Sequence, residues 1–199
     1  DPPLLRARQA LGLKLDDLPV PRIVVVRLET EPAPDLAELR RLLAAEVGAT
    51  HATVAVSDLA CRLLAVEQVD LDVADGPEKI LPLLATTWRS LLKTVPAAEI
   101  AGVGIGLPGP VEHSTGRPNN PPIMPGWDGY PVRDRFADRF DAPVWVDNDV
   151  NVLALGEWRS GVATGYDNVV VVKVGTGIGA GIIADGHLHR GAQGSAGDV

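Results

Sequence analysis

The segment Val144–Glu157 constrains this chain more than any other. An apolar strand, Val144-Trp145-Val146, runs straight into Asp147-Asn148-Asp149, and a helical pattern carried by Val150, Leu153, Ala154 and Trp158 begins at once. A strand's C-terminal end feeding a helix N-terminus is where open α/β sheets place their ligands. The helix dipole and its free N–H groups point to the same spot. Three polar side chains at that corner can hold a hydroxylated ligand, and Asp149 can take a proton from it. Asn and Asp are also preferred helix N-caps, so the plainest reading spends one of the three on capping. Capping does not need all three.

Composition narrows the classes. The 199 residues are 46% hydrophobic, enough for a sizeable core in one domain or two small lobes. A net charge of −8 repels phosphate backbones and makes these residues alone a poor nucleic-acid binder. No apolar run approaches membrane-spanning length and nothing resembles a signal peptide, so no membrane partner is expected. Cys61 is the only cysteine, which excludes an internal disulfide and any Cys-cluster zinc site and makes the cytoplasm the default compartment. His51, His113, His187 and His189 have no metal-like spacing; His187 and His189 read as exposed turn residues, and no metal ligand is assigned. The chain starts at Asp1 without Met and ends in Ser195-Ala196-Gly197-Asp198-Val199, small residues that read as mid-loop; a fragment of a longer protein is expected.

Along the chain, residues 1–34 are broken by Pro2, Pro3, Pro19, Pro21, Pro32 and Pro34, with one candidate strand at Ile23–Val26, and read as a linker or the edge of an upstream domain. Asp35–Val47 admits two readings. Leu36, Leu39, Leu42 and Leu43 fit a helix capped by Asp35 and stopped by Gly48; alternatively Leu42–Val47 is a strand. Strands follow at Thr53–Ser57 and Arg62–Asp72. Asp75–Val95 reads as a helix through Ile80, Leu84, Trp88, Leu91 and Val95, with Asp75 and Glu78 as a capping box and Pro82 bending its early part. Next come a Gly-spaced strand Ile100–Leu107, a loop Asn119–Gly129, and a short helix marked by Val132, Phe136 and Phe140. After the Val144 strand and its helix, Val169–Val174 and Ala180–Ala184 form a hairpin, with a turn at Asp185-Gly186. Alternating strands and helices argue an α/β fold, and successive hairpins argue a mixed sheet.

Two corners share a form: an apolar strand, a Gly/Thr turn, another strand. They are Gly48-Ala49-Thr50 and Gly175-Thr176-Gly177-Ile178-Gly179. Glycine lets a backbone approach a phosphate closely and supplies positive φ, and consecutive N–H groups with a Thr hydroxyl make an anion nest. Each corner taken alone also reads as an ordinary tight hairpin. Neither is a Walker A loop, because no Gly-Lys-Ser/Thr follows. Gly102-x-Gly104-x-Gly106 misses the dinucleotide spacing and reads as a strand that packs closely.

In this order, the two glycine corners, Gly104-Ile105-Gly106-Leu107-Pro108-Gly109-Pro110 and the Asp147-Asn148-Asp149 corner resemble the ROK family (repressors, open reading frames and sugar kinases) of the actin-like, hexokinase-like ATPases. The resemblance covers about Leu42 to Val199. It implies an actin-like, ribonuclease H-like mixed sheet with flanking helices, and it favours the strand reading from Leu42. It implies residues 42–160 as a first lobe, 161–199 as the start of a second, and 1–41 as a linker or upstream tail. It implies Gly48, Ala49, Thr50, Gly175, Thr176, Gly177 and Gly179 as phosphate loops. Gly109, Pro110, Asn120, Asn148 and Asp149 would contact sugar, with Asp149 the base in a kinase; Asp198 stands where the signature carries a sugar-contacting Glu. ATP and Mg²⁺ would be cofactors in a kinase, and a structural zinc would belong to a later Cys-rich motif absent from this chain. The ligand would be a sugar or sugar phosphate. The complete protein would be a homo-oligomer, with DNA reached only through a domain absent here.

Two departures from the kinases stand out. Glu46 replaces the Asp that usually sits two residues before the first phosphate-loop Gly; one extra methylene can displace a metal by about 1 Å, enough to cost about 10²-fold. Asp198 is one methylene shorter than the signature Glu. A pocket that binds sugar but transfers phosphate poorly suits a sensor, so a sugar-responsive transcriptional regulator is expected first. An ATP-dependent sugar kinase, favoured by Asp149 and the intact Gly175–Gly179 turn, is second, and a catalytically silent interaction module third.

Overall fold

The structure is a computed structural model and describes residues 40–192 and 194–197. The candidate strand at Ile23–Val26, the cap Asp35 and Asp198 lie outside the described residues. Among the described residues, no helix is long and apolar enough to cross a membrane.

A five-stranded sheet runs in the order β3-β2-β1-β4-β7. Its strands are β1 (Arg40–Val47), β2 (His51–Ser57), β3 (Leu63–Asp70), β4 (Glu99–Leu107) and β7 (Val144–Asn148), with a small ribbon of β5 (Val111–Glu112) and β6 (Arg117–Pro118) between β4 and β7 in the chain. β1–β2 and β2–β3 are antiparallel, and β1–β4 and β4–β7 are parallel, so the sheet is mixed as expected. The helical spacing around Leu42 is overridden: residues Leu42, Leu43, Ala44, Ala45 and Val47 are all buried, on both faces of the sheet. A strand covered on both sides reads as an unbroken apolar run, and such a run contains helical spacings by default.

One sheet face carries the main core. Leu43, Ala45 and Val47 of β1, Val103, Ile105 and Leu107 of β4, and Val144 and Val146 of β7 pack against α1 (Pro77–Leu92) and α2 (Val132–Phe140). The expected stripe Ile80, Leu84, Trp88 and Leu91 is buried there. Trp88 lies edge-on to Phe136 and Phe140, and its indole N–H donates to the Ala44 and Ala55 carbonyls, each at 3.2 Å. The expected capping box does not form. Gly76, at φ +85°, occupies the N-cap ahead of Pro77; Asp75 pairs with Lys79, and Glu78 with Tyr130 and Arg135. α1 continues through Pro82.

The opposite face is built from small residues. In register across β1, β4 and β7 lie Ala44, Gly104 and Trp145, then Glu46, Gly106 and Asp147. A Cβ at Gly102 would lie 2.7 Å from the Trp145 ring, and one at Gly106 would lie 3.3 Å from Asp149 Cα. The Gly-spaced strand is therefore what lets Trp145 and the next helix sit down on the sheet.

That helix, α3 (Asp149–Ser160), follows β7 with no intervening residue. It packs on a three-stranded sheet of β8 (Val169–Val174), β9 (Ile178–Ala184) and β10 (His187–Leu188). Gly181 makes this approach possible, since a Cβ there would meet Ala154 Cβ and the Val150 carbonyl. Asp185 and Gly186 both have positive φ, as a two-residue type I′ hairpin turn requires. Along β8, Val170, Val172 and Val174 are exposed while Val169, Val171 and Lys173 are partly covered.

Trp88→Ala should cost about 3–5 kcal/mol, the usual range for emptying a large buried aromatic site, and it removes two indole hydrogen bonds as well. Urea denaturation of the purified chain measures it.

Candidate functional site

The corner is organised by Asn148. Its Oδ1 accepts from the N–H groups of Val150 (2.9 Å) and Asn151 (3.2 Å), so Asn148 is the cap of α3. Its Nδ2 donates to the Gly109 carbonyl at 3.0 Å, which ties the Gly-Leu-Pro-Gly-Pro loop to the helix start. With the cap fixed at the middle residue, the flanking carboxylates of Asp147 and Asp149 enter two different ion clusters.

Asp147 is buried in the first cluster. Its Oδ2 accepts from Arg190 Nε at 2.7 Å and lies 3.3 Å from His113 Nδ1; its Oδ1 accepts from Asn148 N and Asn151 Nδ2. Burial pushes this carboxyl up, but the adjacent His113 imidazole, the Arg190 charge and hydrogen bond, and the Asn151 amide outweigh it and hold Asp147 below the usual carboxylate range. Asp149 behaves in the opposite way. Its Oδ2 accepts from Lys173 Nζ at 2.7 Å, and the same Nζ donates to Glu46 Oε1 at 2.7 Å. Burial pushes Asp149 up, the Lys173 charge and hydrogen bond oppose this, and the Glu46 charge adds to the rise, so the net direction is upward. Lys173 is pushed down by burial, yet its two carboxylates hold it above the ordinary lysine value.

Both clusters open onto one cavity of about 240 Å³. Its lining combines Glu46, Asp147, Asp149, His113 and Arg190 with apolar groups from Trp145, Val152 and Leu153. Gly104, where a Cβ would meet nothing within 4 Å, forms part of the floor.

The structure brings Gly109, Asn148 and Asp149 together. Pro110 is buried, and its carbonyl accepts from Asn119 N at 2.9 Å. Asn120 is exposed with a left-handed backbone, φ +49°, and its N–H donates to Asp128 Oδ1. The two Gly/Thr corners are not in the cavity lining. Gly175, Thr176 and Gly177 are exposed at the β8–β9 turn, and Thr50 is exposed beside His51. None of Gly48, Gly175, Gly177 and Gly179 has positive φ, so that part of the expectation for the corners is corrected. Gly179 uses its missing side chain against Val150 Cγ2, which would lie 2.9 Å from a Cβ there. His187 and His189 are exposed as expected, whereas His113 lines the cavity. Lys173, Arg190 and His113 were not candidates from sequence. Only Lys173 carried a signal, as the single charge in the apolar stretch 169–184.

This fold is that of actin-like proteins. The ROK family profile matches residues 42–199, and the chain belongs to the ROK family. It is 32% identical over 160 residues to the xylose repressor of Caldicellulosiruptor bescii, covering 79% of this chain and 40% of that protein. It is 31% identical over 154 residues to the glucokinase of Thermotoga maritima, covering 77% of this chain and 48% of the enzyme. The chain thus spans less than half the length of these curated relatives. Among solved structures it resembles a ROK family glucokinase from Streptomyces griseus in complex with glucose and AMPPNP. There the TM-score is 0.71 and the identity 29%, covering 79% of this chain and 49% of that one. A ROK family transcriptional regulator, homolog of the E. coli MLC protein, shares the fold at TM-score 0.68 and 22% identity, covering 81% of this chain and 41% of that one.

Asp147→Asn should destabilise the chain by about 1–3 kcal/mol at neutral pH, because it unpairs a buried cluster. The folded-state carboxyl of Asp147 lies below its ordinary 3.8, so its contribution is present above that value and is lost as pH falls through the lower folded-state value. The melting-temperature gap between wild type and variant should therefore be widest near neutrality and should close in acid.

Proposed function

We propose that this chain is the sugar-binding body of a sugar-responsive transcriptional regulator. One observation carries the choice: the carboxylate of Asp149, the candidate base, is already engaged by the Lys173 ammonium. A base must reach the proton it abstracts, and an ion-paired carboxylate holds hydroxyl groups better than it removes their protons. The 32% identity to a xylose repressor supports the same reading.

In this proposal a sugar or sugar phosphate lies at the corner, against Gly109, Pro110, Asn120, Asn148, Asp149 and Asp198. Residues 42–160 form a first lobe and 161–199 begin a second, with the ligand between them. DNA is reached through a domain outside this chain, which suits its charge of −8. The protein acts in the cytoplasm as a homo-oligomer.

A specific observation keeps a kinase as the second reading. Asp149 is buried with its carboxyl pushed up, as a base tuned toward neutral pH would be, and glucokinases are among the relatives. Then ATP would lie on Gly48, Ala49, Thr50, Gly175, Thr176, Gly177 and Gly179. A silent interaction module would bind neither sugar nor nucleotide.

The complete protein decides among these. Melting with glucose, xylose and N-acetylhexosamines should show a rise for at least one sugar, reduced by Asp149→Ala. That sugar should release an operator fragment without consuming ATP. Turnover at ordinary kinase rates, abolished by Asp149→Ala, would replace the regulator with the kinase. No shift with any sugar would leave the silent module.

A further inference from the structure

Three side chains from distant parts of the chain meet at one atom. Lys173 Nζ lies 2.7 Å from Glu46 Oε1 and 2.7 Å from Asp149 Oδ2. Asp149 is nearly buried, at 8% side-chain exposure, and Glu46 and Lys173 are largely covered, at 24% and 33%. Glu46 is fixed by the end of β1 and Asp149 by the first turn of α3. Gly106, which stands beside Glu46 in the sheet and under Asp149 Cα, lets the two come close.

Two carboxylates converging on one point repel each other unless one is protonated or a cation sits between them. A magnesium ion would need oxygen ligands in near-octahedral order at about 2.0–2.1 Å and would keep several waters. The point is instead filled by an ammonium delivered by β8. No group of three or more His, Cys, Asp or Glu side chains able to hold a metal exists among the described residues. With the Lys173 ammonium bound to both carboxylates, the residues present do not fit a magnesium ion at this corner.

The geometry points to Lys173 as the resident cation of the site: its ammonium takes the position a divalent metal would hold between Glu46 and Asp149, so this corner works without metal. Lys173 occupies an otherwise apolar strand at a position turned toward the sheet, where a neutral residue would cost less to cover. It also joins the β8–β9 hairpin to β1 and α3 through its two ion pairs. The inference deepens the regulator reading of the Asp149 corner, but its test contains no sugar, nucleotide or DNA, so the two fail separately.

The test is manganese binding to the full chain, followed by electron paramagnetic resonance, with melting temperature read in parallel. Wild type should show no manganese site that depends on Asp149. Lys173→Met and Lys173→Gln should each gain one site per chain, with at least a tenfold rise in affinity, and manganese should raise their melting temperatures. Adding Asp149→Asn to either should remove the new site. Lys173→Arg, which keeps the charge, should behave as wild type. A wild-type manganese site that Asp149→Asn abolishes would overturn the inference. So would neutral variants that fold without gaining a site, or that stay unfolded even with manganese, since a divalent ion then fails to replace the ammonium.

Discussion

The passage of β7 into α3 without a loop is the constraint on which the rest of the site depends, and the Asn148 side chain holds it. By capping α3 and holding the Gly109 carbonyl, one amide sets where the helix begins, which way it leaves the sheet and where the preceding loop lies. Because successive residues diverge at a strand–helix junction, the carboxylates on either side are sent apart. Asp147 stays in the sheet and meets His113 and Arg190; Asp149 turns into the first helical turn and meets Lys173. A loop of even a few residues here would separate these groups from the glycine strand beneath them.

The two aspartates show how environment divides similar groups. They are two residues apart and buried to nearly the same degree. Asp147 is surrounded only by donors and cations, so its carboxyl falls below the usual range. Asp149 shares its one cation with Glu46, and the second carboxylate leaves burial dominant. The partner set, not the depth, decides the direction. For ligand binding this leaves one carboxylate ionised and structural, and another at the cavity whose charge is balanced by the Lys173 ammonium behind it.

Much of the fold was legible in the sequence. The strand–helix junction, the α1 stripe through Trp88, the Gly-spaced strand and the final hairpins are short-range patterns set by burial periodicity and turn chemistry. What the structure overrode was also local. The helical alternative around Leu42 gave way to the strand reading that the family resemblance favoured, because a doubly buried strand carries no stripe. The Asp75–Glu78 box failed because Gly76 and Pro77 set the helix start with backbone geometry and left both carboxylates to pair elsewhere.

The site divides along the same line. That polar groups gather at Asp147-Asn148-Asp149, and that glycines allow close approach at Gly106, the amino-acid sequence determined by itself, through residue type and adjacency. Which of the three caps the helix, and that Glu46, Asp149 and Lys173 meet at one ammonium, only the tertiary structure decided. Residue order specifies neighbours along a strand or helix. The meeting of β1, α3 and β8 depends on how the separate sheets pack across α3, and the charge of a buried group depends on whatever that packing places beside it.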